Sequence, residues 1–592
     1  MFCVNTMNSA EKAGRRWCSG SPVAAAGRAA RHLDWQPNCL FCAYFPTPGS
    51  ILAFGRTTGE ALHRSYYRPR PVMACALAQL QGCAHLRLEA APAFSSRVAA
   101  PAQRAVQWRR QQRRSGSGGL AAAAPRATAA AAAPARVAAE DKWIERTLEA
   151  VVPDSGSLPA PLATLQSGCL SALATARMPT TRNEEYRFTD VSPVLQATLT
   201  PGAGPAAAPA DALDAAVAAA RMKADAAATV VVVDGQIDEQ RSSMGGLPQG
   251  VYVGGLACAP QDVTSFALGA QSRARGGAFA LLNGAAARDV VVLHVPANLT
   301  LAAPIHVLYL SSGAPAAGQA SLAAPRLLAV IEEGASAELV EEFASLAAPA
   351  GGAGKDAALA ALTAAVAEIE LDDRALLKHS YVVLEGADAA HSKATLVNQG
   401  TESSYSLTEV RVGGRLTRHD LSIEQLGEAT QSQMRSFLLC GDAQLHDLHS
   451  KLKLDHPHGE ANQLHKCIVS SPSGRGVFDG NVRVNRLAQK TDAQQLSRNL
   501  LLVPRATVNV KPNLQIIADD VKCTHGCTVS DLEEEELFYL KSRGISSDVA
   551  RQMLVYSFGR EVVQGLRDEA LQARVEAAMR GTLASFTGAP AQ

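Results

Sequence analysis

The segment Arg326-Leu-Leu-Ala-Val-Ile331 belongs to a series of short apolar runs, rich in Val, Leu and Ile, between about residues 290 and 518. Gly, Asp, Asn or Pro separates successive runs, and no helix-length amphipathic segment lies between most of them. Alternating helices and strands are therefore disfavoured, whereas short strands stacked in coils fit the pattern. We predict a mainly β protein with a parallel β-helix core. The other runs are 290–295, 305–310, 381–384, 409–412, 434–439, 500–503 and 514–517.

Helical patterns flank this core. Trp143, Ile144 and Leu148 have the spacing of a short amphipathic helix, and residues such as Val549 and Met553 recur with helical spacing near the C-terminus. The apolar stripe of the C-terminal helices either covers the open end of the β-helix or docks a partner. We divide the chain into a leader (1–139), an N-terminal helical and mixed domain (140–285), a β-helix core (286–528) with an Ala-rich insertion that loops out at 347–365, and a C-terminal helical domain (529–592).

The leader differs sharply in charge from the rest of the chain. It holds 18 Lys and Arg residues against 4 Asp and Glu, whereas the remainder holds 38 against 51. An Arg-rich, Ala- and Ser-rich, acid-poor leader is typical of an organelle transit peptide, and its Gly/Ser and Ala/Pro runs predict disorder. Met73 opens a stretch that would serve as a transit peptide by itself, which indicates that residues 1–72 are an extension of the gene model.

Composition also narrows the function classes. The sequence has no strongly apolar stretch of about 18 residues, so we expect no membrane span. Six cysteines scattered over the part after the leader indicate a reducing compartment and no disulfide scaffold. The acidic body lacks the basic field that nucleic-acid binding requires, and no phosphate-binding Walker loop is present, so we expect no ATP site.

Cys523, His525 and Cys527 form the most informative pattern. Spacing of two residues on a strand places all three on one face, and thiolate with imidazole suits zinc, iron or iron-sulfur ligation. Alternate residues on a strand lie about 7 Å apart, too far for three donors to meet on one ion without converging, so a bound centre needs further ligands. The alternative interpretation is a set of buried small residues beside a hydrogen-bonded histidine.

A second group holds histidines and one cysteine at less regular spacing. His446 and His449 should face opposite sides of a strand, while His465 and Cys467 share a face. We interpret this group as polar decoration of coil edges and turns and assign no ligands to it. Its other members are His456 and His458.

A run of specific motifs resembles the SufB/SufD family of the SUF iron-sulfur cluster assembly system, from about residue 141 onward. The motifs are Pro179-Thr-Thr-Arg-Asn-Glu-Glu-Tyr-Arg-Phe-Thr-Asp190, Asn462-Gln-Leu-His-Lys-Cys467, Arg475-Gly-Val-Phe-Asp-Gly480, Gln489-Lys-Thr-Asp492, Arg498-Asn-Leu-Leu-Leu502, Val510-Lys-Pro-Asn-Leu-Gln-Ile516, Ala518-Asp-Asp-Val-Lys-Cys-Thr-His-Gly526 and Leu537-Phe-Tyr-Leu-Lys-Ser-Arg-Gly-Ile545. The Lys-Cys-Thr-His-Gly motif is of the SufD type, where the SufB type shows a His-Glu pair.

This resemblance implies a right-handed parallel β-helix that pairs with a SufB-like subunit and docks a SufC-like ATPase through the C-terminal helices. It implies a non-catalytic scaffold in the plastid stroma, with a transient iron-sulfur cluster or iron at the SufB–SufD interface. The matching positions are His525, as a cluster ligand or iron-entry residue, and Cys523 beside it. The family usually has Ala where this chain has Cys527, which is either a packing substitution or an extra ligand or oxidation liability.

Two alternative functions remain at this point. A SufB-type paralogue would accept persulfide sulfur on a cysteine of its own. A β-helix carbohydrate-active enzyme would share the architecture, but it would need a cleft of clustered acidic and basic groups and usually a secretory signal, and neither is evident.

Overall fold

We describe a computed structural model of the chain, which covers residues 3–6, 139–223, 225–313, 316, 318–346 and 358–587. Most of the predicted leader, including Met73, lies outside these described residues. Strand β1 (Cys3–Thr6) lies within the leader and pairs antiparallel with residues 507–510 of the core. This pairing involves only four residues of the leader, and an edge strand offers unpaired backbone groups to any segment that reaches it.

Two sheets form the core, and they fit the predicted parallel β-helix. From residue 326 on, successive strands alternate between the sheets, and each strand pairs in parallel with the strand two places along the chain. The first sheet contains β5 (Tyr252–Gly255), β6 (Val291–Val295), β9 (Arg326–Ile331), β11 (Ala361–Leu371), β13 (Ala389–Gln399), β15 (Leu416–Gln425), β17 (Leu445–Leu454), β19 (Arg475–Val484) and β21 (Thr507–Ile516). Strand β8 (Gln319–Ala323) also pairs with β11, and β2 (Thr198–Pro201) pairs with β8.

The second sheet faces the first across the interior of the coils. It contains β3 (Ala228–Val233), β4 (Gln236–Ile237), β7 (Ile305–Ser311), β10 (Ser336–Ser345), β12 (Leu376–Leu384), β14 (Ser404–Arg411), β16 (Gln431–Cys440), β18 (Glu460–Val469), β20 (Asp492–Leu501) and β22 (Lys522–Ser530). Strands β3, β4 and β5 come from the segment that we assigned to the N-terminal domain, so both sheets begin before residue 286.

Several predicted runs proved to be the C-terminal part of a longer strand. In β16, exposed and buried residues alternate from Gln431 to Arg435, whereas residues 436–440 are all buried. Phe437 packs on its outer side against the C-terminal helices. Polar and apolar residues alternate in a strand segment that is buried on one face, whereas a segment that is buried on both faces is continuously apolar. The apolar runs in the sequence therefore revealed only the strand segments that are buried on both faces.

The predicted insertion is shorter than expected. Residues 361–365 lie in β11, where they pair with β13 and are buried. The prediction that the loop extends to Ala365 is therefore wrong, because alanine fits a doubly covered strand as well as a loop. Residues 347–357 lie outside the described part of the chain.

Helices flank the core at both chain ends. Helix α1 (Lys142–Val151) is the predicted short helix, and the carboxylate of Asp141 caps it by accepting the Trp143 N–H at 2.9 Å. Helices α2 (Ala160–Leu173), α3 (Ser192–Gln196), α4 (Ala210–Ala219), α5 (Gln261–Ala267), α6 (Ala270–Arg275) and α7 (Ala278–Ala286) follow, and α8 (Glu534–Ser542), α9 (Ser547–Val563) and α10 (Glu569–Thr587) come after the last strand. No helix among the described residues is long and apolar enough to cross a membrane.

The C-terminal helices cover a side of the β-helix. Val555 and Val562 of α9 and Met579 of α10 pack in one cluster with Phe437 and Ile468 on the outer face of the second sheet. Of the two uses considered for their apolar stripe, covering the open end is therefore wrong. No residue of β22, in the last coil, is fully buried.

Candidate functional site at the open end of the β-helix

Strands β21 and β22 end the two sheets. Each pairs with the strand of the preceding coil, and within the described residues only β1 adds to the free edge, along residues 507–510. Ile516 and Ile517 remain 47% and 48% exposed here. An uncovered pair of edge strands with exposed apolar side chains is a surface on which a second β-structure can pair.

Cys523, His525 and Cys527 lie on one face of β22, as predicted. They stand in register with Ala493, Gln495 and Ser497 of β20, which are buried in the interior of the coil. The three side chains therefore face the same interior, but no further coil among the described residues covers them. His525 is exposed and the two thiols are partly exposed.

The three donors do not complete a metal site by themselves. Among the described residues, no group of three or more His, Cys, Asp and Glu side chains is close enough to hold a metal ion. Partial burial raises the pKa of the Cys523 thiol. Because a metal binds the thiolate, ligation by Cys523 would displace a proton. The residue types suit iron or an iron-sulfur cluster.

A ladder of polar side chains leads to this site through the coil interior, and sequence reasoning missed it. One residue per coil, in continuous register on the second sheet, forms the polar ladder: Glu341, Tyr381, Glu409, Ser436, His465, Ser497 and Cys527. All but Cys527 are buried. The only signal in the sequence was the presence of ionisable residues inside otherwise apolar runs.

Charges inside the polar ladder are paired. Burial by itself raises the pKa of Glu341, but the Lys393 ammonium and the His379 imidazole, 2.8 Å away, outweigh burial and hold that pKa well below its usual range. Nearer the open end, burial lowers the pKa of His465 to about 3. This ring is therefore neutral at pH 7, with Nδ1 at 3.0 Å from the Ser497 hydroxyl.

The second histidine group lies mainly inside the protein. His446, His465 and Cys467 are buried, so the interpretation as decoration of coil edges is wrong for them. Neutral imidazoles and thiols can be buried when they find hydrogen-bond or ring partners, as His465 does by stacking on Phe478 at 4.3 Å between ring centroids. His449 is also buried, on the outer side of its strand against Asp447.

For two members of this group, the interpretation as polar side chains of coil edges and turns is correct. His456 and His458 lie in the turn between β17 and β18, where His458 adopts a positive φ of 61°. His465 and Cys467 share the inward face of β18, also as predicted.

Comparisons with known proteins agree with this architecture. The chain matches the model of the SUF system FeS cluster assembly, SufBD core domain, over residues 314–558, and that of the SufBD protein N-terminal region over residues 156–307. Protein ABCI7, chloroplastic, of Arabidopsis thaliana is 38% identical over 446 residues, which are 74% of this chain and 90% of the relative.

Two bacterial relatives extend the match. An iron-sulfur cluster assembly SufBD family protein of Synechocystis is 34% identical over 436 residues, covering 71% of this chain and 91% of its own. The iron-sulfur cluster assembly protein SufD of Escherichia coli is 34% identical over 302 residues, covering 50% and 67%.

The β-helical fold, the family models and the relatives together identify a component of iron-sulfur cluster assembly. The chain belongs to the SufB/SufD family of the SUF system. The resemblance drawn from the motifs is thereby confirmed, and the family assignment weighs against a β-helix carbohydrate-active enzyme.

Proposed function

We propose that the chain is a non-catalytic scaffold subunit of a SufB–SufC–SufD complex that assembles nascent iron-sulfur clusters in the plastid stroma. The observation that carries the proposal is the uncovered last coil, with Cys523, His525 and Cys527 facing its open interior. A donor set that is incomplete in one chain and exposed on an unpaired sheet end is suited to a site shared with a second chain.

Pairing with a SufB-like subunit would cover this end. The partner's β-structure would continue the edges of β21 and β22 and bury Ile516 and Ile517. His525 would then bind iron or the nascent cluster at the junction, with Cys523 as a second ligand. Cys527 packs partly against the buried cluster that contains Cys467 and Phe478, which favours a packing role for its thiol.

Docking of a SufC-like ATPase would use the C-terminal helices. Phe538 and Tyr539 of α8 are 72% and 57% exposed, and Val549 and Met553 of α9 are also exposed, while the opposite side of α9 packs on the core. An exposed apolar patch on a helix pair that packs on the core is a suitable docking surface for a protein partner.

The location in the plastid stroma is supported by two observations. The leader has the composition of a transit peptide, and the Arabidopsis relative is named as chloroplastic.

Anaerobic co-expression with SufB-like and SufC-like partners tests the proposal. We expect the wild-type chain to form a complex that holds iron and sulfide, and His525→Ala to form the same complex, by native mass, without them. If the wild type binds neither partner, the scaffold proposal is wrong. If His525→Ala retains iron and sulfide at the wild-type level, the site is wrong although the scaffold stands.

The SufB-type alternative has its own test. A SufB-type chain would take up persulfide sulfur on one of its cysteines, so mass spectrometry after incubation with a persulfide-loaded donor distinguishes the two types. We expect no sulfur transfer to this chain.

A further inference from the structure

Gln495 lies directly beneath His525 in the coil interior. The two residues are register partners on β20 and β22, and Gln495 is buried, with 2% exposure, whereas His525 is exposed. Neighbouring strands are about 4.8 Å apart, so an imidazole that turns inward from His525 reaches the Gln495 amide.

The orientation of the Gln495 amide is fixed. Its Nε2 donates to Oε1 of Gln463 at 2.9 Å, and Gln463 lies one coil deeper. The Gln463 Nε2 donates in turn to the Ser450 hydroxyl at 2.8 Å. Across the interior, a Cβ on Gly480 would lie 2.0 Å from Nε2 of Gln495, so only glycine at that position leaves room for the amide.

The other end of this amide lacks a partner. Oε1 of Gln495 is buried and accepts no hydrogen bond from the described residues. The Nε2 donor is already bonded to the deeper coil, so Oε1 is the amide atom that remains for a donor on the neighbouring strand β22, where His525 is the register partner. Buried acceptors without a partner are rare in native proteins and call for an explanation.

We propose that Gln495 is a positioning residue for His525: its Oε1 accepts the N–H of whichever imidazole nitrogen does not bind iron. This inference rests on the proposed function of His525 as a ligand at the shared site. Metal-binding histidines almost always donate their second N–H to a fixed acceptor, which sets the tautomer and the plane of the ring. Covering of the open end by the SufB-like partner would bring His525 inward and satisfy Oε1.

A double-mutant cycle in the anaerobic three-subunit complex tests the inference. Gln495→Met keeps the size of the side chain and removes the acceptor, and we expect the dissociation constant for Fe²⁺ to rise by roughly 10-fold to 100-fold. His525→Ala should weaken Fe²⁺ binding at least as much. Adding Gln495→Met to His525→Ala should cause no further loss, because the acceptor acts only through the imidazole.

Asn499→Leu is the matched control. Asn499 is also a buried inward-facing amide of β20, and it donates to the Thr528 carbonyl of β22 at 3.0 Å, but its register partner is Val529 and not His525. This variant removes a hydrogen bond from the same strand but keeps the Gln495 Oε1 acceptor. We therefore expect its dissociation constant for Fe²⁺ to stay within about threefold of the wild-type value. Equal loss in Asn499→Leu and Gln495→Met would overturn the inference in favour of a structural role.

A spectroscopic measurement separates positioning from stability. In the complex with ¹⁵N-histidine in this chain and Zn²⁺ as a diamagnetic probe, the His525 signal is identified by its absence from His525→Ala. We expect one tautomer with a slowly exchanging N–H in the wild type and fast exchange in Gln495→Met. If the exchange rate of the His525 N–H is the same in Gln495→Met as in the wild type, or if the losses of Fe²⁺ affinity in the double-mutant cycle are additive, the role of Gln495 is wrong but the site stands. If His525→Ala binds Fe²⁺ as tightly as the wild type, both the site and the inference are wrong.

Discussion

Asp447 is a fully buried carboxylate that holds the segment containing Tyr186 and Thr189 against the core. It accepts hydrogen bonds from the Thr189 hydroxyl and, at 2.6 Å, from the Arg418 guanidinium. The same guanidinium lies over the Tyr186 ring at 3.8 Å. Burial by itself raises the pKa of Asp447, but His449 and Arg418 outweigh it and lower the pKa to about 2.

We predict that Asp447→Asn lowers the free energy of unfolding by about 3 kcal/mol at pH 7, because it removes the fully buried carboxylate partner of Arg418 and leaves only the partly exposed Asp420. Asp420→Asn is the control: it removes a carboxylate from the same Arg418, but that carboxylate is 40% exposed, so the loss should stay below about 1 kcal/mol. Urea denaturation measures both values. Equal losses would contradict the assignment of Asp447 as the main anchor.

The same residue predicts acid sensitivity. A folded-state pKa below the unfolded value means that the stabilisation by Asp447 is present above about pH 4 and is lost as the pH falls toward 2. The contribution is about 2 kcal/mol, so thermal unfolding curves of wild type and Asp447→Asn should converge between pH 4 and pH 2. Curves that stay parallel over this range would show that another group is responsible.

At the scale of elements, two neighbouring carboxylates of β11 bind helix α6 and the residue before it through hydrogen bonds. Glu368 accepts the Gly269 and Ser272 backbone N–H groups, each at 2.8 Å, and pairs with Arg326. Glu370 accepts only from neutral amides, Gln271 at 2.8 Å and Asn398 at 3.0 Å.

Glu370 has no direct cationic partner in this contact. Burial raises its pKa to about 7, the negative charge of Glu368 adds to the rise, and Arg275 opposes it. The helix is therefore docked through one ionised carboxylate and one that titrates near neutrality.

We predict that ionisation of Glu370 weakens this contact as the pH rises. Its folded-state pKa lies above the unfolded value, so stability falls between about pH 4.5 and pH 7, by about 3 kcal/mol in total. Glu370→Gln should remove this slope and stabilise the protein at pH 8. Glu368→Gln should destabilise it, because it leaves Arg326 buried and unpaired. Denaturation at pH 5 and pH 8 checks both, and a slope that survives Glu370→Gln would contradict the assignment.

Close packing of α9 on the second sheet depends on one glycine. A Cβ on Gly559 would lie 2.6 Å from Phe437 and 2.7 Å from Met579. We predict that Gly559→Ala destabilises the protein by about 1–3 kcal/mol through overpacking. Gly581→Ala in α10, where a Cβ would meet nothing within 4 Å, should instead stabilise it by about 0.5–1 kcal/mol. Thermal melts of the two variants check the opposite signs.

At the scale of the whole molecule, the two proposed docking surfaces lie on different elements: the open end beyond β21 and β22, and the exposed side of α8 and α9. We predict that Ile517→Asp weakens binding of the SufB-like subunit by at least about tenfold and leaves the SufC-like subunit bound. Phe538→Asp should do the reverse, because each change places a charge in one apolar surface only. Pull-downs with each partner separately check this, and each variant is the control for the other. Loss of both partners in either variant would contradict separate surfaces.

Sequence reasoning identified the elements that depend on local pattern. The apolar runs predicted a parallel β-helix, Trp143 and its neighbours predicted α1, and spacing placed Cys523, His525 and Cys527 on one face. Boundaries were less predictable: 361–365 read as a loop because alanine is compatible with loops and buried strands alike.

The sequence by itself determined the class of fold, the family and the donor types, because these follow from hydrophobic periodicity and from motifs that are local in the chain. Only the tertiary structure decided that the C-terminal helices cover a side of the β-helix and leave its end open. It also decided that His465 is an interior residue and that Gln495 lies beneath His525. Such facts depend on register between strands some thirty residues apart, and the energy that sets register is shared among all the buried contacts of a coil.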